Sequence, residues 1–353
     1  MHFAHAREMS ARFLYSCRWM AQLNSRGGSE QALIARILAA FGTRGERTSR
    51  LEVGPGDDAA VLRASPGCVV LTCDPFVEGV HFLPAVHPPD SIGFKALARA
   101  TSDLAAMGAR PRCFLLSLAL PTERTSKWLD VMLKGMARAS RRLKLALAGG
   151  DTTHGDSVAI NITVMGEMRP GRSVTRSGAQ PGDLLYVSGV LGAAQLGLEL
   201  VRRGKTGARW STLLRRHLYP EPRLALGQWL AQRKLASAMI DLSDGLSTDL
   251  HNLCHASSLG ARVWRERIPG VTIPVALRKL RLDAERMALH GGDDYELLFT
   301  VPRRYAHRIP ARFRGVRLTR IGEIAKPKSI ALIDVAGRAA SLEPRGWDPF
   351  RNE

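Results

Sequence analysis

Carboxylates recur in this chain where apolar runs stop. Asp57 and Asp58 precede the run 59–62, Asp74 closes the run from Cys68 through Thr72 and Cys73, and Asp151 follows Gly149-Gly150. Asp241 and Asp244 end the segment from Ala238, and Gly292-Asp293-Asp294 opens another apolar run. Neighbouring carboxylates on a rigid edge repel one another unless a cation, a donor or solvent compensates them, and oxygen-rich sites of this kind suit Mg²⁺. Aspartate is also a common turn residue, so a solvated turn stays open for the 57–58 pair. Asp103 lies among alanines and a leucine in 101–106, where a carboxylate is costly to bury alone. Arg99, one turn earlier, is its structural partner and a metal its functional one. Two glycines before Asp151 let backbone approach a phosphate while the carboxylate addresses a metal, although a plain glycine turn has the same composition. Asp241 and Asp244 admit a further reading, helix capping by Ser243 or Asp244.

The elements that must carry these residues follow from periodicity. Residues 54–81 read as a hairpin-like unit turned at Ser65-Pro66-Gly67. After the breaker Pro88-Pro89-Asp90, Leu97, Ala100, Leu104 and Met107 stand at helical spacing and predict a helix over 91–107. A buried strand over 113–120, a helix over 126–142 and a strand over 158–165 follow. Pro170-Gly171, Ser177-Gly178 and Pro181-Gly182 then punctuate the chain and set a domain boundary near residue 169 between two βαβ-like series. The reading is therefore an extension over 1–28, a first domain over 29–168 and a second over 169–353. Gly-Asp-Asp before an apolar strand appears in both halves and hints at two related acidic edges. Gly204-Lys205-Thr206 is no P-loop, because Glu199 occupies the required first glycine and a helix precedes it.

The 353 residues suit about two domains. The formal charge is +19, yet arginines are spread along the chain and aromatics are only 6%. That points to a solvated basic surface that attracts anionic substrates, with no nucleic acid as partner. No apolar run nears the roughly 20 residues of a membrane span, so no membrane is expected. Five cysteines without a CxxC pair indicate reduced thiols and a cytoplasmic location.

GDDAAVL, TCDPFVEGVHF, GFKALARATSDLAAMGARP, GGDTT, RSGAQPGD, DLSDGLSTDL, GGDDYELLF and Gly346-Trp347-Asp348 occur in this order from about Ser29 to the C-terminus. The set resembles the thiamine-monophosphate kinase family, within the ATP-binding superfamily of aminoimidazole ribonucleotide synthetase. The resemblance implies an α/β (α+β) fold of two domains, with an N-terminal mixed sheet forming a homodimer. It implies ATP and thiamine monophosphate as substrates, several Mg²⁺ ions, and thiamine diphosphate as product. By motif, Asp57, Thr72, Cys73, Asp74, Asp103, Asp151, Asp241 and Asp244 fall on magnesium positions, Asp151, Asp74 and Asp103 being the catalytic ones. Gly150, Asp151, Arg176 and Ser243 fall on ATP positions, and His81, Glu296 and Trp347 on thiamine monophosphate positions. An aromatic face suits the cationic thiazolium, and Glu296 is able to accept from an aminopyrimidine; Trp347 as a core anchor for the tail is the alternative. Cys73 departs from the family's usual threonine, and a neutral thiol is a poor Mg²⁺ ligand, so its contact would come from the backbone carbonyl or be lost. The expected chemistry is direct in-line phosphoryl transfer without a protein nucleophile. A sister enzyme with another acceptor and a nonenzymatic RNA-binding scaffold are the alternatives.

Overall fold

A computed structural model describes residues 30–41, 51–53, 61–62 and 66–350. Asp57, Asp58 and the 1–28 extension lie outside the described residues.

Strands β1 (Leu51–Val53) and β2 (Val61–Leu62) pair with each other. The first large sheet has the order β3-β6-β4-β5, built from Cys68–Val77, Ala159–Met168, Arg110–Leu120 and Ala146–His154. The β4–β5 pair is parallel and the others antiparallel. The expected 54–81 hairpin does not form among the described residues. Val61–Leu62 pairs upstream, and β3 spends its hydrogen bonds on β6, Cys68 opposite Met168 and Val77 opposite Ala159.

Helix α1 spans Glu30–Phe41, α2 Pro89–Met107 and α3 Lys127–Leu143. Helix α2 starts with proline in its first turn, where no amide donor is missed, and stops at Gly108 in the left-handed region, φ 74°. Its body is alanine-rich because it is buried almost all round. Gly93 and Gly135 let it cross α3 backbone to backbone; a Cβ on Gly93 would lie 2.0 Å from the Met132 carbonyl oxygen, and one on Gly135 1.8 Å from that of Asp90. Leu97 and Leu104, both fully buried, join Phe114, Leu116, Ile160, Ile162 and Val164 in the first core. Truncating one such leucine to alanine costs about 2–5 kcal/mol.

The second sheet runs β14-β13-β9-β12-β7-β10-β8, with β7 at Leu184–Ser188, β8 at Ala238–Asp241, β10 at Leu297–Val301 and β12 at Val316–Ala325. The remaining strands are β9 (Gly260–Trp264), β11 (Arg312–Phe313), β13 (Ile330–Ile333) and β14 (Ala339–Ser341). Its pairs are antiparallel except β9–β13, so the expected βαβ-like series is replaced by a mixed sheet. Helices α4 to α8 are Ala193–Arg202, Ser211–Leu218, Leu224–Gln232, Leu246–Ala256 and Ala284–His290. Alternate residues of β7 enter two cores: Leu185 and Val187 meet α7, whereas Leu184 and Tyr186 meet α6. The latter core also takes Ala105 and Ala106, so the end of α2 is shared by both halves. No helix among the described residues is long and apolar enough to cross a membrane.

Candidate functional site

The site grows from the contact of α2 with β3 and with the end of β8. Strand alternation turns Thr72 and Asp74 toward α2 and Cys73 away from it. The Thr72 hydroxyl donates to Asp103 on α2, and Arg99, one turn before Asp103, holds its Nε 3.9 Å from Asp74 Oδ2. Arg99 thus pairs with Asp74 across the contact between α2 and β3, and Thr72 supplies the bond to Asp103 that the sequence reading sought in Arg99. Asp241 terminates β8 opposite Leu297. Burial lifts its carboxyl to about 7, with the charges of Asp103 and Asp74 acting in the same direction. Asp74 is likewise raised, by burial first and then by Asp103 and Asp244, against the pull of Arg99. Asp244 is raised by burial and by Asp293, while Arg99 and Arg176 lower it.

Asp74, Asp241 and Asp244, all raised and all gathered beside Asp103, form an acidic group that resists full ionisation of its raised members, which is the electrostatic signature of a cation site. No three acidic, histidine or cysteine side chains among the described residues stand close enough to enclose an ion directly. Mg²⁺ keeps several waters and uses one or two carboxylates at a time, so the looser oxygen set fits it.

Capping does not explain Asp241 and Asp244. Gly245, φ 110°, stands at the start of α7 without a side-chain cap, and Asp249 Oδ2 accepts from the amides of Asp244 at 3.1 Å and Gly245 at 3.0 Å. This buried bracket frees the two aspartates. The same loop is zipped to 293–296: Asp293 N donates to Ser243 O, Tyr295 N to Leu242 O and Leu242 N to Glu296 O, each 2.8 Å. The tail closes on it as well, Trp347 N donating to Asp244 O at 2.9 Å. A Cβ on Gly346 would lie 2.1 Å from that oxygen, so only glycine fits there. The Trp347 side chain is not a core anchor, the residue being 44% exposed.

Arg176 is exposed and its charge acts on both Asp241 and Asp244. His81 accepts from Val77 N at 3.0 Å. Burial lowers its pKa to about 4, with Arg99 pushing the same way, so the ring is neutral near pH 7. Glu296 is buried and already engaged: Arg223 Nε donates to Oε2 at 2.6 Å, a second Arg223 nitrogen binds Oε1, and Ser188 Oγ donates to Oε2 at 2.5 Å.

Asp151 is not with the four aspartates. The segment expected as a glycine turn is extended within β5, and a Cβ on Gly150 would lie 1.9 Å from Leu116 O, so strand packing alone requires that glycine. Asp151 stands in register with Ser117, Asn161 and Pro75 and with them lines a cavity of about 250 Å³ on the sheet face turned away from α2. Cys73 shares that face, where Thr163 Oγ1 lies 3.3 Å and Asn161 Nδ2 3.4 Å from its Sγ. The proposed ligand positions thus fall on opposite faces of the first sheet rather than in one cage.

A family model for AIR synthase related protein, N-terminal domain, matches residues 56–168, and the corresponding C-terminal domain model matches 180–335. The thiamine-monophosphate kinase of Escherichia coli (strain K12) is 38% identical over 329 residues, 91% of this chain and 98% of that protein. The chain belongs to the thiamine-monophosphate kinase family. A crystal structure of the thiamine-monophosphate kinase from Stenotrophomonas maltophilia K279a matches with a TM-score of 0.73 and 38% identity, over 88% of this chain and 98% of that one. AaThiL complexed with AMPPCP and TMP matches at 0.71 and 31% identity, over 83% and 90% of the two chains. Within this thiamine-monophosphate kinase family framework, sequence reading overlooked Lys95, His217 and Asp249. For Lys95 a signal existed: Lys95, Arg99 and Asp103 are charged residues four apart along one face of an otherwise small and apolar helix.

Proposed function

We propose that the chain transfers the γ-phosphoryl group of ATP to thiamine monophosphate, forming thiamine diphosphate and ADP. The observation that carries this is the gathering of Asp74, Asp241 and Asp244, each raised first by burial, beside Asp103, which Thr72 holds on α2, in a chain of this family whose relative was solved with AMPPCP and TMP. In the reaction, an ionised phosphate oxygen of thiamine monophosphate attacks the γ-phosphorus in line, and the bond to the bridging oxygen breaks. No protein base or nucleophile is required, because the acceptor is already ionised near neutral pH. Magnesium ions, when bound, neutralise the charge shared by the phosphates.

The chain's own groups divide the remaining work. Asp74, Asp103, Asp241 and Asp244 hold magnesium from the α2 side, with Thr72 orienting Asp103. Asp151 serves from the other face; the Cys73 side chain is turned to that face too, but a neutral thiol is a poor Mg²⁺ ligand, so any contact from Cys73 is through its backbone carbonyl. Arg176 offers its guanidinium to the nucleotide phosphates, while Ser243 and the Gly150 backbone line the nucleotide. His81, Glu296 and Trp347 receive thiamine monophosphate; neutral His81 adds no charge to repel a thiazolium, and Trp347 offers an open ring.

A homodimer completes the reading. The first sheet leaves Val69, Leu71 and Leu115 exposed on the face opposite α2, with Leu71 66% exposed, and a second copy is the occupant that would cover them. That face includes Asp151, so dimerisation would bring partner groups to it. Mixing the full chain with ATP, Mg²⁺ and thiamine monophosphate and separating the products by chromatography tests the activity. Thiamine diphosphate is expected in stoichiometry with ADP; its absence from folded protein that binds both substrates would overturn the proposal.

A further inference from the structure

Lys95 has no place in the chemistry above, yet it is among the most constrained side chains in the molecule. It sits on α2 with only 3% of its side chain exposed, and its ammonium lies 2.7 Å from Asp293 Oδ2. The other Asp293 oxygen accepts from the Tyr295 hydroxyl at 2.8 Å. On its far side Lys95 Nζ lies 3.2 Å from His217 Nδ1, His217 Nε2 lies 3.0 Å from His87 Nε2, and His87 Nδ1 lies 3.1 Å from Leu83 O. An ammonium only donates, so His217 accepts at Nδ1 and, as a neutral ring, donates from Nε2 toward His87 Nε2. The Leu83 amide also points at His87 Nδ1, 3.1 Å away. A chain of five side chains, Tyr295–Asp293–Lys95–His217–His87, buried except at the part-exposed Asp293, thus links the two halves of the molecule.

The turn at one end of this chain needs holding. Asp293 and Tyr295 both adopt left-handed backbone, φ 68° and 49°, a conformation rarely taken by residues with side chains and rarest for bulky ones. Their amides are the ones that bond Ser243 O and Leu242 O. The position of 293–295 consequently sets the position of the loop from Asp241 to Asp244. Lys95 reaches that turn from the same helix face that carries Arg99 and Asp103. In the first Gly-Asp-Asp, the family resemblance puts Asp57 on a magnesium position. In the second, Asp293 is occupied by a tethered ammonium, and Asp294 by the amides of Gly192 and Ala194, 2.6 and 3.0 Å away.

We propose that Lys95 is a positioning residue: its ammonium is the resident cation of the second acidic turn and, through Asp293, fixes the spacing of Asp241 and Asp244 against Asp74 and Asp103. This rests on the reading of those aspartates as the magnesium–nucleotide site. Calorimetric titration of the full chain with AMPPCP in Mg²⁺ provides a readout that does not depend on turnover. Lys95→Met preserves length and apolar stem. It should remain folded by circular dichroism yet bind Mg²⁺–AMPPCP at least about tenfold more weakly, with a higher Mg²⁺ concentration at half-saturation. Asp293→Asn keeps the shape of the turn and should give the same loss, and the double variant should bind no worse than either single one. If Lys95→Met does not fold, Asp293→Asn alone decides.

A merely structural salt bridge would lower the melting temperature and leave the dissociation constant and the Mg²⁺ requirement unchanged; that result, or additive losses in the double variant, overturns the proposal. Thiamine diphosphate formation by the unaltered protein reports separately on the kinase reading. Nucleotide binding without that product would sink the kinase reading and leave the Lys95 comparison standing. Failure of the unaltered protein to bind Mg²⁺–AMPPCP would overturn both.

Discussion

Arg99 places its Nε 3.9 Å from Asp74 Oδ2, so a helix cation faces a strand carboxylate at the centre of an otherwise repulsive acidic group. Burial, Asp103 and Asp244 all push the Asp74 carboxyl upward and Arg99 opposes them. Replacing Arg99 by Gln removes that opposition and leaves a mostly buried carboxylate to face its neighbours. The expected cost is about 1–3 kcal/mol of stability in EDTA, with part of it restored by millimolar Mg²⁺. Thermal melts with and without the ion check this; a loss indifferent to Mg²⁺ would argue against an ion at Asp74.

Asp241 gives the fold a pH dependence whose sign is fixed. Burial and then the charges of Asp103 and Asp74 raise its carboxyl to about 7. The folded state therefore binds this proton more tightly than the unfolded state does, and ionisation weakens the fold progressively from about pH 4 to pH 7. Asp241→Asn removes that contribution. In EDTA the variant's melting temperature should gain on the parent's across this window and hold a constant lead above it. A difference that stays flat with pH contradicts the assignment.

Asp151 makes a local hydrogen bond to the amide of Thr152 at 2.9 Å and is exposed. Asp151→Asn should therefore change stability by no more than about 0.5 kcal/mol while lowering kcat by about a hundredfold or more. Steady-state kinetics and a melt on the same preparation separate the two quantities. Full activity in that variant would remove Asp151 from the reaction.

The outer face of the first sheet predicts an assembly. Leu71→Glu places a charge in the middle of the face that also exposes Val69 and Leu115. Light scattering should give the mass of a dimer for the parent and of a monomer for the variant, with circular dichroism unchanged. An unaltered mass for the variant would place any interface elsewhere.

Local pattern revealed most of the elements and marked the aspartates from which the candidate site is built, because both signals depend on neighbours in the chain. The helical spacing of Leu97, Ala100, Leu104 and Met107 was enough for α2, although Pro89 and Asp90, read as part of a breaker, form its first turn, and Asp241 and Asp244 stood out at the end of an apolar run. Pairing depends on remote segments and was misread. Val61–Leu62 and Cys68–Val77 look like hairpin arms, but β3 finds its partner some ninety residues later. Gly149-Gly150 suggested a turn, whereas both lie inside a strand and the small size of Gly150 answers the adjacent Leu116 backbone. Capping by Ser243 or Asp244 failed because Asp249, buried one turn into α7, already takes the free amides. Lys95 was passed over since its partners, Asp293 and His217, are far away in sequence.

The pleat of Cys68–Val77 has a consequence for how this protein tolerates change. Its alternation aims Thr72 and Asp74 at α2 and Cys73 at the opposite side, so one residue inserted or deleted upstream within the strand would exchange the two sets at a stroke. Length variation should thus be accepted in the connections flanking this strand and purged from its interior, even where every individual substitution there is mild.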